Sequence, residues 1–401
     1  ESLIYVNGEP CQGLDGNRDE VLLLEKAKGG EKFQILVESY SGARFDEKHS
    51  FNYADLAVVN TDIQKFYWDM RVAFDVLQIL PQGSASQLRM LELLNKCAKQ
   101  VDLGHKDDAQ YRASIEMAQR MLNQGLEQFQ HSCGLGSLLL AGHSHIDTAW
   151  LWPLRETQRK CGRTFASALK YMEEYPDYHF SQSQPQLYDY TKKYYPGIYE
   201  GIKKRVKEGR WEPVGATWVE QDSNVSSGES LVRQLLYGNR FFRKEFGIHS
   251  RTCWLPDAFG FCWSLPQILK KAGVDYFATT KIDWSQYNKF PYSLFLWQGI
   301  DGTKILSVMP PLNYNGSLIP RDCLAQWDQF KQKDQCDEVL YSFGYGDGGG
   351  GPTKQMLETG TRLKNTVGVP RCSFGRIQDY FDRLEKAVDK EKLPVWNGEL
   401  Y

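Results

Sequence analysis

Short apolar runs and longer amphipathic stretches take turns along the last two thirds of this chain. Ser137–Ala141, His179–Gln182, Trp211–Val219, Thr252–Leu255, Tyr276–Thr280, Val339–Phe343 and Val395–Tyr401 read as strands. Helix-sized amphipathic segments such as Leu231–Glu245 and Ser264–Lys271 lie between most of them. Such alternation predicts βαβ units around a parallel sheet, open or closed into a barrel. In those folds the reacting groups stand at the C-terminal ends of the strands.

Residues 60–130 change period. Ile63, Phe66, Met70, Phe74 and Leu77 recur at helical spacing, and Pro81 ends the run. Ser84 with Gln87 makes a capping-box pattern ahead of Leu88, Leu91, Leu94 and Val101. Tyr111, Ile115, Ala118 and Leu122 mark a third helix. These stripes are expected to be core packing. The first 55 residues are rich in strand and turn signals, with Asn7-Gly8 and Phe33–Val37. They are too few to close a sheet and are expected to be the remnant of an upstream domain. The expected organisation is a β-rich segment 1–58, a helical domain 59–133 and an α/β domain 134–401.

Composition narrows the classes. A hydrophobic content of 41% supports a large core, which excludes wholesale disorder. Forty-eight Lys plus Arg against fifty Asp plus Glu leave a net charge of −2, with no basic excess to serve a general nucleic-acid or membrane-surface binder. Apolar runs such as Leu138–Ala141 are far too short to span a bilayer. The polar start at Glu1 shows no signal peptide, and a chain without an initial Met has room for a longer parent. The nine Cys are odd in number and none is spaced Cys-x-x-Cys, which argues for reduced thiols in a cytoplasmic setting.

Four strand ends carry chemistry. Leu138–Ala141 runs into Gly142-His143-Ser144-His145-Ile146-Asp147. Alternation along an extended chain points His143, His145 and Asp147 to one side, where imidazole and carboxylate can share an ion at about 2.0–2.2 Å. A hydrogen-bonded His pair is the bland reading, and spacing does not choose which two of the three are ligands. Asp222 follows Trp218-Val219-Glu220-Gln221 and serves equally as a site carboxylate or as the cap of the helix after it. Asp257, in Trp254-Leu255-Pro256-Asp257, leans toward holding a turn. Asp347 precedes four glycines, a loop built for close approach rather than a phosphate loop, because Pro352 stands where a donor is needed. Carboxylates among Trp150, Trp152, Trp218, Trp254, Trp284, Tyr314 and Tyr345 are the equipment for cleaving a sugar.

Together, Gly142–Trp150, Trp218–Asp222, Trp254–Gly260 and Gly346–Thr353 resemble the class II α-mannosidases of glycoside hydrolase family 38, nearest to the cytosolic neutral branch. The resemblance implies a (β/α)7 catalytic barrel behind a small helical domain. It also implies retaining hydrolysis of terminal α-mannosides from oligosaccharides with one divalent metal ion, zinc or cobalt. It makes His145, Asp147 and Asp222 the metal ligands, Asp222 the nucleophile and Asp347 the acid/base, with partial burial against Tyr345 raising its pKa. Trp150, Asp257, Lys281, Tyr314 and Asn315 become substrate contacts. A fourth ligand of the family, a distal His, has no counterpart after His249, so the chain is expected to be an N-terminal catalytic fragment, with any homo-oligomer formed through the missing regions. The competing readings are a zinc-dependent deacetylase of acylated sugars and a glycan-binding fragment without turnover. Neither nucleic acid nor membrane is an expected partner.

Overall fold

The computed structural model describes residues 1–40, 54–104, 108–129 and 135–401. A hairpin of β1 (Ser2–Val6) and β2 (Glu9–Leu14) turns at Asn7 and Gly8, both at positive φ. β3 (Ile35–Ser39) pairs with β1 to complete a three-stranded antiparallel sheet. The opening segment therefore does make a sheet. It is completed by the return of β3 and backed by a helix far along the chain, which local sequence does not reveal.

Three helices follow: α1 (Thr61–Leu77), α2 (Ala85–Gln100) and α3 (Asp108–Glu127). Ser84 caps α2, its Oγ accepting from Gln87 N–H at 3.2 Å, while the Gln87 side chain accepts from Gly83 N–H at 2.7 Å. Phe66, Val76, Leu94, Cys97, Ala118 and Leu122 are buried, as helical spacing requires. Phe74, Leu88 and Leu91 instead stand exposed, because the apolar stripe predicted there is wider than the face that its neighbours cover.

The rest alternates as expected. β4 (Ser137–His143), α4 (Leu154–Glu174), β5 (Phe180–Gln182), α5 (Pro185–Tyr194), α6 (Pro196–Lys207) and β6 (Trp211–Pro213) come first. α7 (Gly228–Phe246), β7 (Thr252–Trp254), α8 (Leu265–Lys271), β8 (Tyr276–Ala278), β9 (Leu294–Gln298) and β10 (Lys304–Val308) follow. α9 (Pro320–Asp328), β11 (Glu338–Phe343), α10 (Lys354–Arg362), β12 (Arg371–Phe374), α11 (Ile377–Ala387) and β13 (Val395–Asn397) complete the order. β4 is central: β11 runs along one edge, and β12 and β5 pair with it in turn, all parallel. Leu138, Leu139, Leu140 and Ala141 of β4 are fully buried, and each Leu contributes about 1.5–3 kcal/mol by leaving water.

The described ladders give an α/β fold of two five-stranded sheets, not a continuous closed ring. One orders β13-β9-β10-β8-β7 with β9 and β10 antiparallel; the other holds β12, β11, β4, β5 and β6. β6 and β7 have three residues each and meet through a Gly215 N–H to Thr252 O hydrogen bond of 3.2 Å. The strand expected over Trp211–Val219 stops at Pro213, since Gly215 and Ala216 adopt positive φ of 103° and 64°. The strand expected over Val395–Tyr401 likewise ends at Asn397. Among the described residues no helix is long and apolar enough to cross a membrane.

Candidate active site

Burial of the apolar run in β4 brings His143 to the strand end and places His145 just beyond it. His143 is fully buried and its Nε2 accepts a hydrogen bond from Trp254 Nε1–H at 3.0 Å. Burial first, and the neighbouring His145 second, lower its pKa to about 3, so it packs as a neutral core residue.

His145 is the centre of the site. Its Nε2 lies 3.2 Å from Asp147 Oδ1 and 3.1 Å from Asp257 Oδ2. Burial pulls its pKa down, but Glu220, Asp147 and Asp257 together outweigh that and hold it well above the ordinary imidazole value. On the other ring edge Glu220 Oε2 is 2.9 Å from Nδ1, yet neither atom has a hydrogen bond. The two are in contact without the alignment that a hydrogen bond needs.

Glu220 is set by two residues. Ser183 Oγ–H donates to its Oε1 at 2.7 Å, and its backbone N–H reaches Gln184 Oε1 at 3.3 Å. Gln184, at a φ of 65°, also donates to Ile146 O at 2.8 Å and so ties the loop after β5 to the loop after β4. None of these three was singled out from sequence. The signal for Glu220 was its place two residues before Asp222.

Asp257 leaves the loop after β7 and is shared. Its Oδ1 takes Lys281 Nζ at 2.7 Å while Oδ2 faces His145. Burial raises its pKa, and the hydrogen bonds from His145 and Lys281 outweigh that, bringing it to about 2. Lys281 is caged by aromatic faces: Trp284 at 3.8 Å, Phe259 at 4.8 Å and Tyr314 at 5.2 Å. Tyr314 packs edge-on to His145, and burial and Asp257 raise its hydroxyl pKa.

Among the described residues one group of His, Cys, Asp and Glu can hold a metal ion: His145, Asp147 and Asp257, each offering an atom within 4.8 Å of the others. One buried imidazole and two carboxylate oxygens about 3 Å from it match the spacing of ligands that share an ion at about 2.1 Å. The donor set therefore fits a divalent cation. Asp257 stands in this group beside the expected ligands His145 and Asp147, and Asp222, the third expected ligand, is not one of the three. Asp222 is exposed, and its Oδ1 accepts from Asn224 N–H at 2.7 Å and Val225 N–H at 2.9 Å, closing a turn ahead of α7, whose cap is Ser227.

Asp347 is also exposed, so the burial expected of it against Tyr345 is not supplied. Its N–H donates to Asn315 Oδ1 at 2.6 Å, which makes Asn315 a holder of the glycine loop. Trp150 is 64% exposed and Trp284 as much, leaving free aromatic faces on the site loops.

Comparison with known proteins places the chain in a family. The Glycosyl hydrolases family 38 N-terminal domain matches residues 136–399. Alpha-mannosidase G of Dictyostelium discoideum is 37% identical over all of this chain, which covers 38% of that protein. Alpha-mannosidase 2C1 of Homo sapiens is 34% identical over all of the chain, which covers 39% of it. The chain thus spans about two fifths of the length of the curated relatives that it matches. The crystal structure of an alpha-mannosidase from Enterococcus faecalis V583 shares the fold, with a TM-score of 0.58 at 22% identity over 66% of this chain and 31% of that one.

Proposed function

The chain belongs to glycosyl hydrolase family 38, and from that premise we propose that it is the catalytic region of a metal-dependent retaining α-mannosidase that releases terminal α-mannose from oligosaccharides. The observation that carries the reading is the convergence of loops after β4, β6 and β7 on the buried imidazole of His145. His145, Asp147 and Asp257 would hold the cation, zinc or cobalt by the chemistry of the donors. When bound, that ion supplies Lewis-acid and templating chemistry toward sugar hydroxyls.

The remaining roles fall to the chain's own groups. Asp222 keeps the nucleophile's role: its Oδ1 is anchored on two backbone N–H groups, and its other oxygen is left to attack the anomeric carbon. Asp347 donates its proton to the departing glycosidic oxygen, then takes one from the water that frees the sugar from Asp222. Trp150 offers a stacking face. Lys281, Tyr314 and Asn315 line the same mouth, Lys281 held against Asp257 and Asn315 against Asp347.

The division at 58 and 133 is carried as part of this reading. So is a seven-stranded barrel of β4, β5, β6, β7, β8, β10 and β11, which the Gly215–Thr252 hydrogen bond and the Gly316–Phe343 bridge support at its two seams. Cytoplasmic residence is proposed on the eight described cysteines, all free thiols.

The test is a pair of variants in the full-length enzyme. Asp257→Asn should lose its cation in metal analysis. Asp222→Asn should keep it and lose turnover of an aryl α-mannoside on the order of a thousandfold or more. Unchanged turnover in Asp222→Asn removes that residue from its role.

A further inference from the structure

The loop that carries Asp347 is held from behind by residues outside the site. It contains six glycines between Gly344 and Gly351, and Gly348, Gly349 and Gly351 have φ of 81°, 87° and 72°. Such a segment has great conformational freedom and keeps one shape only when its surroundings impose it. On the site side Asn315 accepts from Asp347 N–H, and Gly346 lies so close to Tyr314 that a Cβ would come within 2.7 Å of its ring.

On the opposite side the carbonyls are taken one after another. Lys160 Nζ donates to Gly348 O at 2.8 Å and Thr164 Oγ1 donates to Gly349 O. Arg18 Nη1 donates to Gly351 O at 3.3 Å and to Pro352 O at 3.1 Å. All three donors are buried: Arg18 is 4% exposed, Lys160 6% and Thr164 4%. Two of them are cations, so their bonds to carbonyls belong to the strong, charge-assisted class. Lys160 and Thr164 lie one turn apart on α4, and Arg18 follows β2, which packs on that helix through a Gly13 N–H to Ser167 Oγ hydrogen bond of 2.9 Å.

We propose that Arg18, Lys160 and Thr164 are positioning residues for Asp347, with the opening β-segment serving as part of the catalytic apparatus. The inference rests on Asp347 being the acid/base. Fixing the backbone of residues 348–352 fixes the direction from which that carboxyl meets the departing oxygen. Displacing a proton donor by about an ångström costs on the order of ten- to a hundredfold in rate where protonation limits the reaction.

The experiment uses the full-length enzyme and two substrates: dinitrophenyl α-mannoside, whose leaving group departs unprotonated, and methyl α-mannoside, whose leaving group needs the proton. Lys160→Met removes the ammonium, which also lies over the Trp152 ring at 4.5 Å, Thr164→Val is nearly isosteric, and Lys160→Arg is the rescue. Asp347→Asn is the reference. Lys160→Met and Thr164→Val should lose kcat/KM on the methyl glycoside by roughly tenfold or more while losing under about twofold in kcat/KM on the dinitrophenyl one, since kcat/KM reports the first step, in which that leaving group needs no proton. On the methyl glycoside KM should hold, amide exchange across 346–351 should quicken, and Lys160→Arg should restore the methyl rate. In the Asp347→Asn background Lys160→Met should add no further loss. If Asp347→Asn discriminates between the leaving groups and the clamp variants do not, the clamp is overturned and the acid/base reading stands. If Asp347→Asn itself does not discriminate, both fall.

Discussion

His143→Gln asks which histidine of His-x-His belongs to the core and which to the site. The wild-type imidazole is fully buried, accepts from Trp254 Nε1–H, and has a pKa of about 3. Unfolding returns it to about 6.5. Between these values the unfolded chain binds a proton that the folded chain refuses, so stability falls as pH falls. For one such group the loss between about pH 7.5 and pH 5 is about 2 kcal/mol, and it approaches about 1.4 kcal/mol per pH unit at the acid end. Carboxylates with depressed pKa values, Asp257 included, lose their contribution only below their unfolded values near 4, outside that window. His145 has the opposite sign. Its raised pKa gives stability fully present below about 6.5 and lost as pH rises through the folded value.

Gln places an oxygen near the position of Nε2, keeps an acceptor for Trp254 and cannot titrate. Urea unfolding followed by tryptophan fluorescence, with chelator present, should give a stability curve for His143→Gln that is flatter than the wild type by about 2 kcal/mol over the window. His145 and His179 are common to both proteins and cancel in the difference. Cation content measured without chelator should match the wild type in His143→Gln and collapse in His145→Gln. Parallel stability curves, or loss of the ion from the first variant and not the second, would refute the assignment.

Three further outcomes follow from the same geometry. Glu220→Gln, which removes a negative charge 2.9 Å from the far side of the His145 ring, should lower cation affinity roughly 10- to 100-fold in competition with a chelator; an unchanged constant means that this charge does not support the site. Lys281→Met keeps the aromatic packing but strips Asp257 of its cation, and should cost about 2–3 kcal/mol in urea unfolding, with a loss under about half a kcal/mol counting against the pair. Gly238→Ala should cost roughly 3 kcal/mol, since the new methyl would stand 2.2 Å from Ala216 O on an inflexible backbone; a neutral change would mean that α7 and the 215–217 turn are not in contact.

Residue spacing made some of this legible and hid the rest for identifiable reasons. His145 and Asp147 could be read because alternation beyond a buried strand is a local property. The pairing of Asp257 with Lys281 is not legible in the spacing, because the two lie twenty-four residues apart and meet only in three dimensions. β9 and β10 were missed although Leu294–Gln298 is apolar and Gly299 to Gly302 closes it with a turn, a hairpin signal overlooked because parallel units were expected. On α4, Glu156, Lys160 and Arg163 are buried although charged. They are buried because a sheet made of the first forty residues lies over them, and nothing within the helix's own sequence announces that cover.

The charges around His145 explain why this imidazole, rather than its neighbour, suits a cation. Asp147, Asp257 and Glu220 bring three formal negative charges within about 3 Å of the ring, and Lys281 returns one positive charge to Asp257. Two negative charges remain to be offset in a largely dry place, where unbalanced charge is expensive. A proton on the imidazole offsets one of them, which is why three carboxylates hold its pKa up. A divalent ion offsets both and needs the imidazole neutral, so proton and ion compete for the Nε2 edge and binding must weaken in acid. Among the described residues no carboxylate pairs with His143, whose Nε2 accepts from the indole N–H of Trp254, so neither proton nor cation gains by going there. Two histidines, one at the end of β4 and one just beyond it, thus have opposite electrostatic fates, and the difference comes from the loops after β6 and β7, which deliver their acids to one imidazole and not the other.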